Sequence, residues 1–430
     1  MKQVSSNPKN GNLCIGGMDT VALAAKYGTP LYVMDENLIR ANCRTLKTSL
    51  DTHYNRNGLV LYASKAFCCK QIYRIVAQEG LGVDVVSGGE LFTALAAGFP
   101  ADKIYFHGNN KTAQELCMAL ENNVGTIVVD NLSELNLLNS LAKANGKTAN
   151  ILFRIKPGID AHTHKFIMTG QIDSKFGFAL ETGEAMEAVT AALSMSNIHF
   201  AGIHCHIGSQ IFELEPFCHA AVVMLQFAKD IQTKHHCTVE QLNLGGGFGI
   251  RYIAQDDPQA LGSYMEAVSK TVKNFCAENQ LKVPFICIEP GRSIVGDAGI
   301  TLYTIGSVKT IPGHRTYVSV DGGMTDNPRY ALYQSAYEAV IANKATQPRD
   351  FVATIAGRCC ESGDLIQEHT LIQTPAAGDI LAILSTGAYN YSMASNYNRV
   401  PRLPVVMVKD GTDSLAVRRE SYEDLVRNDV

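Results

Sequence analysis

Short apolar runs recur along the first two thirds of the chain with a regular beat. They are LVLYAS (59–64), GVDVVS (82–87), IYFHG (104–108), TIVVD (126–130), NILFRI (150–155), FAGIHCHIG (200–208), QLNLGGG (241–247) and FICIEPG (285–291). Runs of four to eight residues rich in Val and Ile are the mark of fully buried strands. Between them lie stretches such as KQIYRIVAQEG, GELFTALAAG, KTAQELCMALENN and SELNLLNSLAKANG. Their apolar residues fall three and four apart, and several end at Gly, the usual C-terminal stop of a helix. Eight strand–helix units over roughly 250 residues predict a (β/α)8 barrel of the TIM type. A doubly wound open sheet fits less well, because its usual strand count is lower and no G-x-G-x-x-G follows the first strand.

After about residue 300 the texture changes. TLYTIGSVKT, RTYVSVDGG, FVATIAGR, DLIQEHTLI, DILAILST and VVMVKDGTDSLAVRRE alternate or run β-branched between Gly, Pro and Asp turns. The DG in the last of these is a hairpin signal. A mainly β C-terminal domain is expected, a β-sandwich or Greek-key barrel. The strand-like LYVMD at 31–35 precedes the first barrel strand, so the N-terminal segment is expected to join the C-terminal sheet. The expected division is 39–294 for the barrel, and 1–38 with 295–430 for the β-domain.

Length agrees with two domains, since 430 residues exceed one ordinary core. A hydrophobic content of 46% with 18% charged residues describes a globular chain. The net charge of −4 gives no electrostatic reason to expect nucleic acid or membrane partners. No apolar run approaches the ~20 residues that span a bilayer. The N-terminal MKQVSSNPKNGNL lacks the apolar core of a signal peptide, so a cytoplasmic location is expected, with the 12 cysteines reduced. They form no C-x-x-C pair, and Cys68-Cys69 and Cys359-Cys360 lack zinc-site spacing. His162/His164, His204/His206 and His235/His236 have no evident set of carboxylates or thiols to complete a metal site, and no metal is expected.

In a barrel of this type the chemistry lies at the C-terminal ends of the strands. Those ends carry Lys65; Asp84 with Ser87; His107; Asp130; Arg154; His206 with Ser209; Gly245-Gly246-Gly247; and Glu289 with Arg292. Each has a bland alternative. Lys65 could be a surface lysine, Asp84 a carboxylate near a helix N-cap, His107 a satisfied core histidine. Asp130 is read as the cap of the helix beginning NLSEL. The run LNLGGGFGI is either a tight turn or a loop whose N–H groups approach an anion. A late-strand phosphate site together with a strand-end amine nucleophile points to pyridoxal phosphate.

The motifs YASKAF, DVVSGGEL, HGNNK, HTHKFIMTGQIDSKFG, HCHIGSQI, LNLGGGFG, EPGRSIVG, VDGGMTDNPRYALY, CCESGD and GAYNYSMASNYN run in order through nearly the whole chain. In these the chain resembles the fold type III pyridoxal-phosphate decarboxylases, most closely the branch acting on meso-diaminopimelate. The resemblance implies decarboxylation of meso-2,6-diaminopimelate to L-lysine, the last step of lysine biosynthesis. It implies that Lys65 carries pyridoxal 5′-phosphate, that His206 stacks on the ring, and that Asp84 also serves the cofactor. Ser209, Gly247 and Arg292 would lie at the phosphate end, Gly246 and Gly291 would also bind the cofactor, Glu289 would meet the pyridine nitrogen, and Tyr389 would serve both cofactor and substrate.

On the substrate side, Arg292, Arg329 and Tyr333 supply donors for a carboxylate, and Glu361 can accept a distal ammonium. Without the flanking motifs, Arg329 and Glu361 would read as a surface ion pair. The resemblance further implies a homodimer with shared active sites, the β-domain completing the site and the dimer interface, and Cys360 acting across it; adjacent Cys359 is the competing thiol. The alternatives are a related decarboxylase of ornithine, arginine or carboxynorspermidine, and a non-catalytic protein that binds pyridoxal phosphate. The second would not need Cys360, Glu361 and Tyr389.

Overall fold

The computed structural model describes residues 4–159 and 174–430. Most of HTHKFIMTGQIDSKFG, including His162 and His164, lies outside the described residues. The chain forms two compact units: residues 42–249 with 258–293, and residues 1–41, 250–257 and 294–430. Helix Glu36–His53 carries the chain from one to the other.

In the first of these units all eight apolar runs are strands, Gly58–Ala63, Gly82–Val85, Ile104–Phe106, Thr126–Val129, Ala149–Lys156, Ile198–His204, Gln241–Asn243 and Phe285–Ile288. Every neighbour is parallel, and the eighth strand pairs with the first, so the sheet closes. Among the described residues seven helices separate the strands, from Lys70–Gln78 to Ser263–Glu278. Ser87 caps one of them by accepting the Glu90 N–H, and Thr112 and Glu115 form a capping box on the next. Asn131, not Asp130, caps helix Leu132–Ala144 by accepting the Glu134 N–H. Asp130 instead accepts the Gly177 N–H at 3.0 Å, because its strand position turns it inward.

That inward turn follows from the pleat. Leu61, Tyr105, Val128, Leu152, Ala201 and Cys287 form one buried cluster drawn from six strands, which in a closed cylinder can only be the inner face. Side chains two residues further along a strand share that face. Tyr105 is therefore followed by His107, Val128 by Asp130, Leu152 by Arg154 and Cys287 by Glu289. An apolar layer is overlaid at the C-terminal end by a polar one.

The other unit is built on the long strand Gly299–Ile311. Its first half lies between Leu31–Asp35 and Ile380–Ile383, and its second half pairs with Arg315–Val320. Val405–Lys409 runs parallel to Leu31–Asp35, so the N-terminal LYVMD occupies the middle of the C-terminal sheet. Asp410 and Gly411, both at positive φ, turn the chain back into Thr412–Val417, the hairpin that DG predicts. Residues 250–257, expected within the barrel, join this unit because Ile250 and Tyr252 pack in its core with Tyr303, Tyr337 and Ile355.

Asp326 lies buried in this unit, accepting the Gly323 N–H and the Thr325 hydroxyl at 3.0 Å each, and the Tyr303 hydroxyl. Burial outweighs these donors and pushes its pKa from 3.8 up to about 7. A carboxyl raised in the fold stabilises fully below its unfolded pKa, and that contribution is lost as pH rises through the folded value. Asp326→Asn should therefore remove on the order of 4 kcal/mol from the fall in stability between about pH 4 and pH 8. Denaturant melts of both proteins at pH 5 and pH 8 check this; equal pH dependence would refute it.

Candidate active site

Lys65 stands at the end of the first barrel strand, in the short turn Ser64–Ala66, exposed between two buried neighbours. The turn is pinned to the second strand: Ser64 donates its N–H to Asp84 Oδ1 at 3.2 Å and its hydroxyl to the Asp84 carbonyl. The Lys65 ammonium is within electrostatic reach of both Asp84 and His206. An amine on a rigid strand end, facing a carboxylate and an imidazole, is not an ordinary surface lysine.

Two carboxylates share this barrel end and titrate in opposite directions. Burial and the neighbouring Glu289 charge push Asp84 well up. Glu289 is buried too, yet His107 and His204, by electrostatic attraction first and hydrogen bonding second, hold it well below the usual carboxylate range. Asn243 Nδ2 donates to Oε1 at 2.7 Å, His204 Nε2 lies 3.1 Å from Oε2, and His107 Nε2 lies 2.8 Å from Oε1. The last approach is bent away from the N–H line, so it is a close polar contact more than an aligned hydrogen bond. Glu289 is the ionised member of the pair.

The glycine run bends around the ends of its neighbours. A Cβ at Gly246 would meet the Glu289 carbonyl oxygen at 2.0 Å, and one at Gly247 the Gly208 carbonyl oxygen at 2.5 Å. Gly245 and Gly247 have φ of +67° and +117°. Only glycine allows that approach and those angles. The Gly246 N–H donates to His206 Nδ1 at 3.3 Å, so the neutral ring carries its proton on Nε2. Burial, then the Lys65 and Arg154 cations, hold His206 well below the ordinary histidine pKa. Beside the run, Arg292 Nη2 donates to Ser209 Oγ at 2.8 Å, and Gly291 packs against Ala63 and Ala66.

Arg329, Tyr333, Cys360, Glu361 and Tyr389 belong to the other unit. Arg329 is buried; it donates to the Tyr337 hydroxyl at 2.8 Å and lies 4.9 Å from the Tyr252 ring centre. Among the described residues no carboxylate pairs with it, and its aromatic neighbours raise its pKa against burial. Arg329 and Glu361 are not a surface ion pair. Asn390 donates to the Thr386 carbonyl and the Tyr337 hydroxyl, holding the chain next to Tyr389, whose φ is +62°. Cys360 and Glu361 are exposed on a loop fixed from two sides. Asn398 accepts the Cys360 N–H at 2.7 Å, and Asp364 accepts the Cys359 N–H at 2.7 Å. The Cys359 thiol is partly buried, and burial with Asp364 pushes its pKa up to about 11.

Residues 36–296 match the family model of the pyridoxal-dependent decarboxylase, pyridoxal binding domain. Diaminopimelate decarboxylase of Bacillus subtilis (strain 168) is 49% identical over 426 residues, covering 99% of this chain and 97% of that protein. The chain belongs to the diaminopimelate decarboxylases. Two solved structures of this family, both with L-lysine, resemble it closely. The enzyme of M. jannaschii superposes with a TM-score of 0.92 at 36% identity, covering 100% of this chain and 98% of that one. The Helicobacter pylori enzyme gives 0.87 at 31% identity, with 95% and 98% covered.

Diaminopimelate decarboxylases of this family are pyridoxal-dependent, and the barrel end fits pyridoxal 5′-phosphate. It offers an exposed amine in a buried frame, a tight backbone turn that only glycine allows, and an ionised buried carboxylate. Sequence reasoning placed Lys65, Asp84, His206, Ser209, Gly246, Gly247, Glu289, Gly291 and Arg292 at this end, and the structure brings them there. It missed Asn243 and the partnership of His107 and His204 with Glu289. It found no carboxylate to accompany the histidines; Glu289 is that carboxylate, 85 residues after His204 in the chain. Tyr337 and Tyr252, which hold Arg329, were also missed. Nothing in their local sequence marks them.

Proposed function

We propose that this enzyme removes CO2 from meso-2,6-diaminopimelate to give L-lysine, the last step of lysine biosynthesis. Identity of 49% along nearly the whole chain to the Bacillus subtilis enzyme carries the reading, and the barrel-end chemistry agrees with it. Lys65 would hold pyridoxal 5′-phosphate, which supplies an acceptor for the electron pair left when CO2 departs. Ser209, Gly246, Gly247, Gly291 and Arg292 would grip its phosphate, His206 would lie against the ring as a neutral imidazole, and Asp84 would face the Lys65 side. Glu289, ionised, would keep the pyridine nitrogen protonated. A weaker sink would suit a racemase of the same fold, so this carboxylate favours decarboxylation.

Substrate selection needs a group for the non-reacting end. Arg329 offers a buried planar guanidinium that lacks a carboxylate partner among the described residues, with Arg292, Tyr333 and Tyr389 as further donors and Glu361 as acceptor for the distal ammonium. L-Lysine or ornithine has no distal carboxylate and would leave the guanidinium unmatched, which a polar site rejects strongly. Arg329→Lys keeps the charge and loses the two-point fork, so kcat/KM for meso-diaminopimelate should fall roughly 100-fold. Steady-state kinetics of both proteins measure this, and an unchanged kcat/KM would remove Arg329 from the substrate site.

The working unit in this reading is a cytoplasmic homodimer in which Cys360 of one subunit serves the cofactor of the other. Two observations support it. Cys360 and Glu361 are exposed side chains on a firmly held loop, and all twelve cysteines are free thiols. The Cys360 thiol would give its proton to the substrate α-carbon after CO2 leaves. No helix of the described residues is long and apolar enough to cross a membrane.

A further inference from the structure

The carboxylate of Glu289 does not stand alone. It is buried at the barrel's end with His107, His204 and Asn243, from three other strands, converging on its two oxygens. The usual account of such a site gives one carboxylate the task of holding the pyridine nitrogen's proton. Left to burial alone, that carboxyl would be driven towards its neutral form and would lose the charge the task needs. We propose that His107 and His204 are positioning residues for Glu289: His204 as a neutral N–H donor and His107 through its close polar contact keep the carboxylate ionised and fixed in direction, so that the proton on the bound pyridine ring is held by a cluster rather than by one side chain. This rests on the reading that Glu289 meets the pyridine nitrogen, and it deepens that reading.

The partners define the state of the histidines. His204 is fully buried, with Nε2 towards Glu289 and, among the described residues, no partner at Nδ1. A charged ring would bury a second N–H unsatisfied, whereas the neutral Nε2–H tautomer leaves only an unprotonated nitrogen there. Burial holds His204 down to about 4 and lowers His107 as well, against the pull of Glu289. The two rings touch edge to face, with centroids 4.7 Å apart, so neither can turn without the other. Asn243 ties the cluster to the glycine run, because its Oδ1 accepts the Gly245 N–H at 2.9 Å while its Nδ2 holds Glu289.

Other titratable groups feel the Glu289 charge without replacing these donors. Asp84, Tyr105, Cys205 and Cys287 are pushed up and His206 down, so burial keeps their neutral forms; Arg154 acts only through space. The cluster's three ligand-type atoms lie within 4.8 Å of one another. Its carboxylate oxygens are already met by these donors, which fits a hydrogen-bonded carboxylate better than a metal centre.

The test uses holoenzyme loaded with pyridoxal 5′-phosphate carrying 15N in the ring, read by 15N NMR between pH 6 and pH 9. The wild type should show a protonated ring nitrogen throughout, and Glu289→Gln should lose it. His204→Leu and His107→Phe should each move the resonance towards neutral pyridine and weaken cofactor binding about tenfold or more. His204→Gln, which retains an N–H donor, should stay near wild type. Thermal melting of the apoproteins identifies any variant that fails to fold, and the two histidine positions test the claim independently. A protonated wild type that loses its proton in Glu289→Gln but keeps it in both histidine variants overturns this inference. An unprotonated ring in the wild type overturns the reading of Glu289 itself.

Discussion

Replacing Lys65 with Ala is expected to cut turnover below about 10⁻⁴ of wild type and to abolish borohydride trapping of the cofactor. The reason is positional. Lys65 ends a strand whose preceding residues are buried, and Ser64 locks the turn to Asp84. Another strand-end lysine, Lys111, is already committed: it is buried and donates to Gly108, Val128 and Glu134 at 2.7–2.8 Å. Mass spectrometry of the borohydride-reduced wild type should find the cofactor on Lys65 alone. Label on a different lysine would refute the assignment.

The second large effect concerns the thiol. Cys360→Ala should be nearly inactive, whereas Cys359→Ala should retain most activity. Cys359 is partly buried with its backbone and thiol against Asp364, and its raised pKa marks a thiol serving structure. Among the described residues Cys360 is held only through its backbone, leaving its side chain exposed. If Cys360 acts across a two-fold dimer, two dead variants can complement. Lys65→Ala and Cys360→Ala, mixed under conditions of proven subunit exchange, form heterodimers as half the population. Each has one intact site of two, restoring about a quarter of wild-type sites by random pairing. A mixture that stays dead would place Cys360 in its own subunit's chemistry or outside it.

What could be read from the chain beforehand followed from local physics. The barrel strands were legible because parallel strands buried on both faces leave uninterrupted Val and Ile runs, and the glycine run because tight backbone approach excludes other residues. Asp130 was misjudged as a cap because adjacent Asp and Asn are both good caps; the pleat, which turns Asp130 inward, decides for Asn131. Residues 250–257 were assigned to the barrel by their place in the chain, but Tyr252 finds its packing partners in the β-rich unit. The grouping of His107, His204 and Glu289 was out of reach for a different reason. It exists only once the third, sixth and eighth strands are wound into one cylinder, and no local pattern encodes that meeting. The burial of Arg329 among tyrosines from other segments is hidden in the same way.

The most direct measurement is product analysis by purified holoenzyme offered meso-diaminopimelate, L-lysine, L-ornithine, L-arginine and carboxynorspermidine side by side. The account predicts one L-lysine and one CO2 per meso-diaminopimelate consumed, with kcat/KM for the others lower by roughly 100-fold or more. Comparable decarboxylation of any substrate without a distal carboxylate, or no lysine from meso-diaminopimelate, would contradict it.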